Sequence, residues 1–405
     1  MSGTTNSGRV PRLRFPEFRE AEGWKQKTLS GIAMVVMGSS PRSEGYNESQ
    51  NGLPLLQGNA DIKNRLSAPR VFTSEITKEC QIGDILMSVR APVGSVAKSV
   101  HHACIGRGIA AIHSKRPNSQ EFLYQWLLSY EPRWANISQG GTFDAINSDD
   151  LRQVGLTIPT PAEQQKIAEC LSSVDALMAA QARKVDALKT HKKGLMQQLF
   201  PTEGETQPRL RFPEFQNAGE WNKTTLGEAA TFFNGRAYKQ EELLESGKYP
   251  VLRVGNFFTN NNWYYSDLEL DETKYCDKGD LLYAWSASFG PRMWHGVKVI
   301  YHYHIWKVEQ HSGIDRQFLF ITLENETERM KSNSANGLGL LHITKGTIEG
   351  WDTAFPSPPE QHRIASCLSS LDALITLETQ KLEALKTHKK GLMQQLFPVL
   401  NEVQG

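Results

Sequence analysis

Apolar side chains fall on a 4,3,4,3 spacing over two long stretches of this chain. The inward positions of the first are Ile167, Leu171, Val174, Met178, Gln181, Val185, Leu188, Lys192, Leu195 and Leu199. Those of the second are Ile364, Leu368, Leu371, Ile375, Glu378, Leu382, Leu385, Lys389, Leu392 and Leu396. A 3.5-residue seam sustained for about five heptads predicts coiled-coil helices rather than ordinary amphipathic ones. Polar Gln181, Lys192, Glu378 and Lys389 recur in register within it, as residues that fix pairing do at some cost in stability. Thr160-Pro161-Ala162-Glu163 and Ser357-Pro358-Pro359-Glu360 have the form of a capping box with proline at the first helical position. Pro201 and Pro398 predict the stops. At 1.5 Å per residue each helix should run roughly 55–60 Å.

The two helices are copies. Lys189 to Pro201 and Lys386 to Pro398 both read KTHKKGLMQQLFP, and Glu163 to Leu177 closely matches Glu360 to Leu374. PRLRFPEF also occurs twice, at Pro11 to Phe18 and Pro208 to Phe215. The repeating unit is therefore an opening motif, a variable block and a long helix. Such a unit, of roughly 200 residues, is a duplicated domain and far exceeds a solenoid repeat. The simplest partner for each helix is the other copy. Halves that face two copies of one partner imply a pseudo-two-fold axis, antiparallel helices and variable domains at opposite ends.

The variable blocks, about Leu29 to Pro159 and Leu226 to Phe355, carry short apolar runs cut by Gly, Pro and Asn. Ile32 to Met37, Ile85 to Val89, Ser95 to Val100 and Ile109 to Ile112 predict strands, and Glu121 to Ser129 a buried helix. Gly83 to Val89 parallels Gly279 to Trp285, Gln120 to Leu127 parallels Arg316 to Leu323, and Gly140 to Ile146 parallels Gly337 to Ile343. Between these anchors the blocks disagree almost completely. The expected fold class is α+β, with two β-rich domains joined by an antiparallel coiled coil. The expected divisions are a tail and opening motif (1–20), a first domain (21–160), a first spacer helix (161–201), a linker (202–218), a second domain (219–357), a second spacer helix (358–400) and a tail (401–405).

Composition narrows the class. A chain of 405 residues exceeds one compact core. Its 39% hydrophobic and 22% charged content is that of a soluble globular protein. No apolar run reaches about 18 residues, so no membrane span is expected, and the first residues lack the apolar core of a signal peptide. Five cysteines without C-x-x-C suit a reducing cytoplasm. A net charge of +1 neither demands nor excludes nucleic acid.

Signatures of catalysis are missing. No phosphate-cradling P-loop, no G-x-G-x-x-G after a strand, no adenine-methyltransferase tetrapeptide and no metal-dependent nuclease motif occurs. His302 and His304 lie on one face of an expected strand, but third and fourth metal ligands at sensible spacing are lacking. What remains are polar, basic and aromatic groups on the variable blocks: Arg42, Asn59, Lys63, Arg65, Arg90 and Arg107 in the first; Asn234, Arg236, Arg253, Asn256, Trp263, Tyr264, Tyr265, Arg292, His302 and His304 in the second. Arg and Asn read guanine and adenine edges, and Lys, Tyr and Asn hold phosphate. Two dissimilar polar sets on two similar scaffolds suggest two ligands read in one event.

The doubled PRLRFPEF, with Gly23-Trp24 and Glu220-Trp221 after it, the Pro-Glu-Gln or Ala-Glu-Gln helix start and KKGLMQQLFP together resemble the specificity (S) subunit of type I restriction–modification systems, over nearly the whole chain. The resemblance implies two target recognition domains, each reading half of a split, asymmetric double-stranded DNA site. It implies helices that space the domains and dock two modification (M) subunits, here around Leu195, Met196, Leu392 and Met393. It places S-adenosylmethionine on the M subunits, ATP and Mg on restriction (R) subunits, and no cofactor or catalysis on this chain. The alternatives are a coiled-coil scaffold with two protein-binding domains, or a self-contained methyltransferase or nuclease with divergent motifs.

Overall fold

The structure is a computed structural model that describes residues 10–139, 145–258, 261–286, 289–334 and 343–398. It divides into two compact units, Met1–Arg183 with Gln380–Gly405, and Lys184–Thr379. The expected divisions lie at the helix ends, whereas each boundary between these units falls inside a long helix. The reason is packing. Ile167 and Leu171 are buried in the core of the first unit, whereas Leu199 and Phe200, from the far end of the same helix, are buried in the core of the second.

In the first unit Thr28 caps a helical turn, Leu29–Ile32, by accepting a hydrogen bond from Gly31. The strand expected from Ile32 therefore starts one residue later, at Ala33–Met37. That strand pairs with Ile109–Ser114, which pairs in turn with Ile85–Ser88, within a six-stranded sheet. Ile109–Ser114 is buried at nearly every position, and its almost unbroken apolar run reflects cover on both faces. A second sheet, of five strands, joins Leu53–Leu56 to Ala103–Ile105 in parallel. The helix expected over Glu121 to Ser129 is longer, Gln120–Gln139. Trp24 and Phe122 close the core with Phe397 from the end of the second long helix, their ring centroids 5.7 to 6.5 Å apart.

The second unit repeats the plan. Ala230–Asn234, Ile305–Gln310 and Leu281–Ala284 are three successive strands of one four-stranded sheet, Ala230–Asn234 at its edge, and Tyr249–Leu252 runs parallel to Val299–Tyr301 in another. Trp221, Phe318 and Phe200 occupy the places of Trp24, Phe122 and Phe397, at 5.4 to 5.9 Å. The anchors expected at Gly140 to Ile146 and Gly337 to Ile343 lie, but for their last residues, outside the described residues.

The long helices are Pro161–Leu199 and Pro358–Leu396, each of 39 residues, or about 58 Å. All twenty seam positions are buried or half-buried, while positions between them are mostly exposed. Within each unit the two helix segments run antiparallel. In the first unit Lys389 meets Asp175 at 2.7 Å. In the second Lys192 meets Asp372 at 2.7 Å and Lys184 meets Glu378 at 3.1 Å. The polar seam residues Lys192, Lys389 and Glu378 are therefore ion-paired, which admits one register. Alanine at Lys389 strips Asp175 of its cation but leaves it Gln125, 2.8 Å away. The expected loss lies between the ~1 kcal/mol of an exposed pair and the ~3 kcal/mol of a buried one. Exchanging the charges, Asp175→Lys with Lys389→Asp, should restore most of it, as read by denaturant unfolding.

The capping boxes are altered. Thr160 Oγ1 still accepts from the Glu163 N–H, at 3.5 Å. The Glu163 carboxylate instead takes two hydrogen bonds from the Arg14 guanidinium, both 2.8 Å, and one from the Trp24 indole at 3.2 Å. Arg211 grips Glu360 in the same way, at 2.6 and 2.8 Å. The opening motif PRLRFPEF is thus a clasp on the start of the long helix of its own repeat.

Candidate nucleic-acid interface

Each unit carries the same turn in the same backbone frame. In the first, strand Ala103–Ile105 passes through Gly106-Arg107-Gly108 into Ile109–Ser114; in the second, Val299–Tyr301 passes through His302-Tyr303-His304 into Ile305–Gln310. Leu56 O accepts from the Gly106 N–H at 2.8 Å, as Leu252 O does from His302 at 2.9 Å. Val89 donates to Gly108 O at 3.0 Å, as Trp285 does to His304 O at 3.1 Å. Gly38 donates to Ile109 O, as Gly235 does to Ile305 O. Glycine is required there: a Cβ on Gly38 would lie 2.2 Å from Gly106 O, and one on Gly235 would lie 2.3 Å from His302 O.

This common frame presents different side chains. In the first unit it borders a cleft of ≈ 660 Å³ lined by Ser40, Tyr46, Gln57, Asn59, Arg90 and Arg107. Arg90 and Arg107 are exposed, and neither guanidinium has a hydrogen bond or ion pair among the described residues. In the second unit Arg253 stands where the first has Gln57, one residue past the equivalent strand. It lies 4.3 Å over the Tyr264 ring. Trp285 stands where the first has Val89, stacked on Trp306, and its indole donates to Tyr303 O at 2.7 Å. His302 lies between Tyr238 and His304, with centroids at 6.4 and 4.8 Å. Burial first, then the charges of His304 and Arg253, push the His302 imidazole down to about 4. It is therefore neutral near pH 7, with one donor and one acceptor nitrogen.

Sequence reasoning found part of these sets. Asn59, Arg90 and Arg107 come together in one cleft; His302 and His304 form the equivalent turn, and Arg253, stacked on Tyr264, follows the strand residue that His302 bonds. Arg236 sits on that frame, bridged to His302, but its guanidinium is held by Glu242 at 2.7 and 2.9 Å. Others have structural work. Arg65, expected as a ligand contact, is clamped on Glu131 and Val96 O. Asn234 Oδ1 accepts from the buried Trp306 indole at 2.7 Å. Asn256 donates to Asn262 O, and Trp263 packs on Trp294. Arg42 stands 4.0 Å from Glu75. Lys63 and Arg292 are exposed on strands outside the frame, and Tyr265 is half-buried on a paired strand. Ser40, Tyr46, Gln57, Tyr238, Trp285 and Tyr303 were missed. The available signal was positional: GRG and HYH stand at equal distances after matching anchors.

The leucines and methionines expected to dock partners are half-buried. Leu392 and Met393 pack against the first core, Leu195 and Met196 against the second. The exposed apolar positions of the helices are Leu177 (58%) and Leu374 (37%), which match in the repeat, and Leu377. Among the described residues no group of three or more potential ligands could hold a metal, and no helix is long and apolar enough to cross a membrane.

The family model for the type I restriction modification DNA specificity domain matches residues 21–190 and again 218–387. Two specificity subunits from Methanocaldococcus jannaschii are similar to this chain. The putative MjaX subunit is 36% identical over 167 residues, 41% of this chain and 39% of that protein. The MjaIX subunit is 25% identical over 266 residues, 62% and 59% respectively. The chain thus spans between two fifths and three fifths of the length of these relatives. Among solved structures, the S subunit of a type I restriction–modification system from M. genitalium is similar in fold, with a TM-score of 0.58 at 18% identity, over 97% of this chain and 100% of that one.

Proposed function

Because the chain belongs to the type I restriction–modification DNA specificity family, we propose that it is the non-catalytic DNA-reading subunit of such a complex in the cytoplasm. The observation that carries this reading is one backbone frame presenting two unlike polar sets. Each unit reads one half of a bipartite, asymmetric site in double-stranded DNA. Exposed arginines, amides and a neutral histidine are the groups that address base edges, and the aromatic rings add stacking surface. The paired helices set the distance between the two readers.

The same helices dock two modification subunits. The matching exposed leucines Leu177 and Leu374 support this, since equal apolar positions on two repeats suit one partner bound twice. S-adenosylmethionine belongs to those subunits, and ATP and Mg to restriction subunits.

Replacing residues 21–160 by another recognition domain should change one half of the methylated motif and leave the other intact. Sequencing methylated adenines in a host carrying the chimera and its modification partner tests this. A change in both halves would refute two independent readers, and a chain that specifies no motif would refute DNA reading altogether.

A further inference from the structure

The turn Gly106-Arg107-Gly108 is clamped on both sides. Besides the frame bonds, the Arg107 N–H donates to Ser40 Oγ at 3.3 Å. A Cβ on Gly108 would lie 2.3 Å from Gln57 O. The backbone at the tip is therefore fixed, while the side chain it carries is exposed. Arg14, Arg65 and Arg236 spend their guanidiniums on Glu163, Glu131 and Glu242; Arg107 has no such acceptor among the described residues. Its neighbours across the cleft include the amides of Gln57 and Asn59.

Resting on the reading of this cleft as a DNA interface, we propose that Arg107 selects a guanine in the half-site read by the first unit. The guanidinium fork matches the two acceptors, O6 and N7, that guanine alone presents on its major-groove edge. Phosphate is the other acceptor an arginine can take. The internal repeat argues against it. Phosphates are alike in both half-sites, so a phosphate-holding position should carry similar chemistry in both units. Here the frame is shared, but the tip residue is Arg107 in one unit and Tyr303, 39% exposed, in the other. A position that changes while its support does not is suited to reading what differs between half-sites, the bases.

The test is the methylated motif in a host carrying the full chain with its modification partner, the domain exchange above telling which half belongs to the first unit. That half should contain an invariant guanine. Arg107→Gln should lose discrimination for it by roughly 5- to 150-fold and move preference toward adenine, which glutamine reads bidentately. The second half should stay unchanged. Arg107→Lys should keep the guanine preference, weakened, because lysine reaches the same acceptors. If both variants abolish methylation, the purified complex is titrated with duplexes carrying each base at that position. Equal loss on all four, with a shallower salt dependence, would make Arg107 a phosphate contact and overturn the proposal. So would an unchanged motif with Arg107→Gln, or a first half without guanine. A wild-type chain that directs no bipartite methylation would instead sink the functional reading.

Discussion

Replacing Arg211 by alanine should destabilise the second unit by about 3–5 kcal/mol, the range for breaking a buried ion pair by removing one partner. Glu360 is buried at the start of its helix, and among the described residues its side-chain donors all belong to Arg211. The same guanidinium also holds Ala218 O and Gly219 O, so the opening motif is released with it. Arg14→Ala should cost the first unit less, because Glu163 keeps the Trp24 indole as a donor. The corresponding Trp221 indole N–H has no hydrogen-bond partner among the described residues. A chain with two cores need not unfold in one step, so the readout is hydrogen exchange. In Arg211→Ala the amides of Asn222–Thr225 and Asp352–Phe355 should exchange faster, and those of Lys25–Thr28 and Gly155–Ile158 should not. Equal loss in both strand pairs, or none, would show that the clasp is not what seats each opening motif.

A four-residue insertion in each long helix, near Ala179–Ala182 and Leu382–Leu385, between the Asp175–Lys389 and Lys184–Glu378 pairs, should lengthen the spacer of the recognised DNA site without altering either half. Both helices must be lengthened, since Asp175–Lys389 and Lys192–Asp372 fix their register on the two sides of the insertion. Four residues add about 6 Å of helix. DNA rises about 3.4 Å per base pair, so the spacer should grow by roughly one to two base pairs. Four residues is close to one turn, a stutter the seam absorbs by local unwinding. A single inserted residue should be far worse, because it turns every later seam position by about 100° and exposes the apolar stripe. Mapping methylated sites for both variants decides the matter. An unchanged spacer in the four-residue variant would reduce the helices to docking elements.

Both long helices were legible in the sequence, because a heptad repeat is a local pattern and its period sets which residues face inward. So were the duplication, the strands at Ile85, Val96 and Ile109, and the pairing role of Lys192, Lys389 and Glu378 in the seam. Tertiary structure decided what each polar residue does. Arg65 and Arg107 look equivalent in the sequence, both basic and both in Gly- or Asn-flanked turns. One is spent on Glu131, 66 positions away, and the other is held out on a turn clamped by Gly38 and Gln57. Glu163 reads as half of a capping box, yet Arg14, 149 positions earlier, takes its carboxylate. The helix ends also read as domain boundaries until Leu199 and Phe200 are found in the second core. Periodicity fixes which face of an element is apolar. It carries no information on which distant carboxylate, ring or carbonyl will meet a given side chain, and that meeting determines which arginines remain for a ligand.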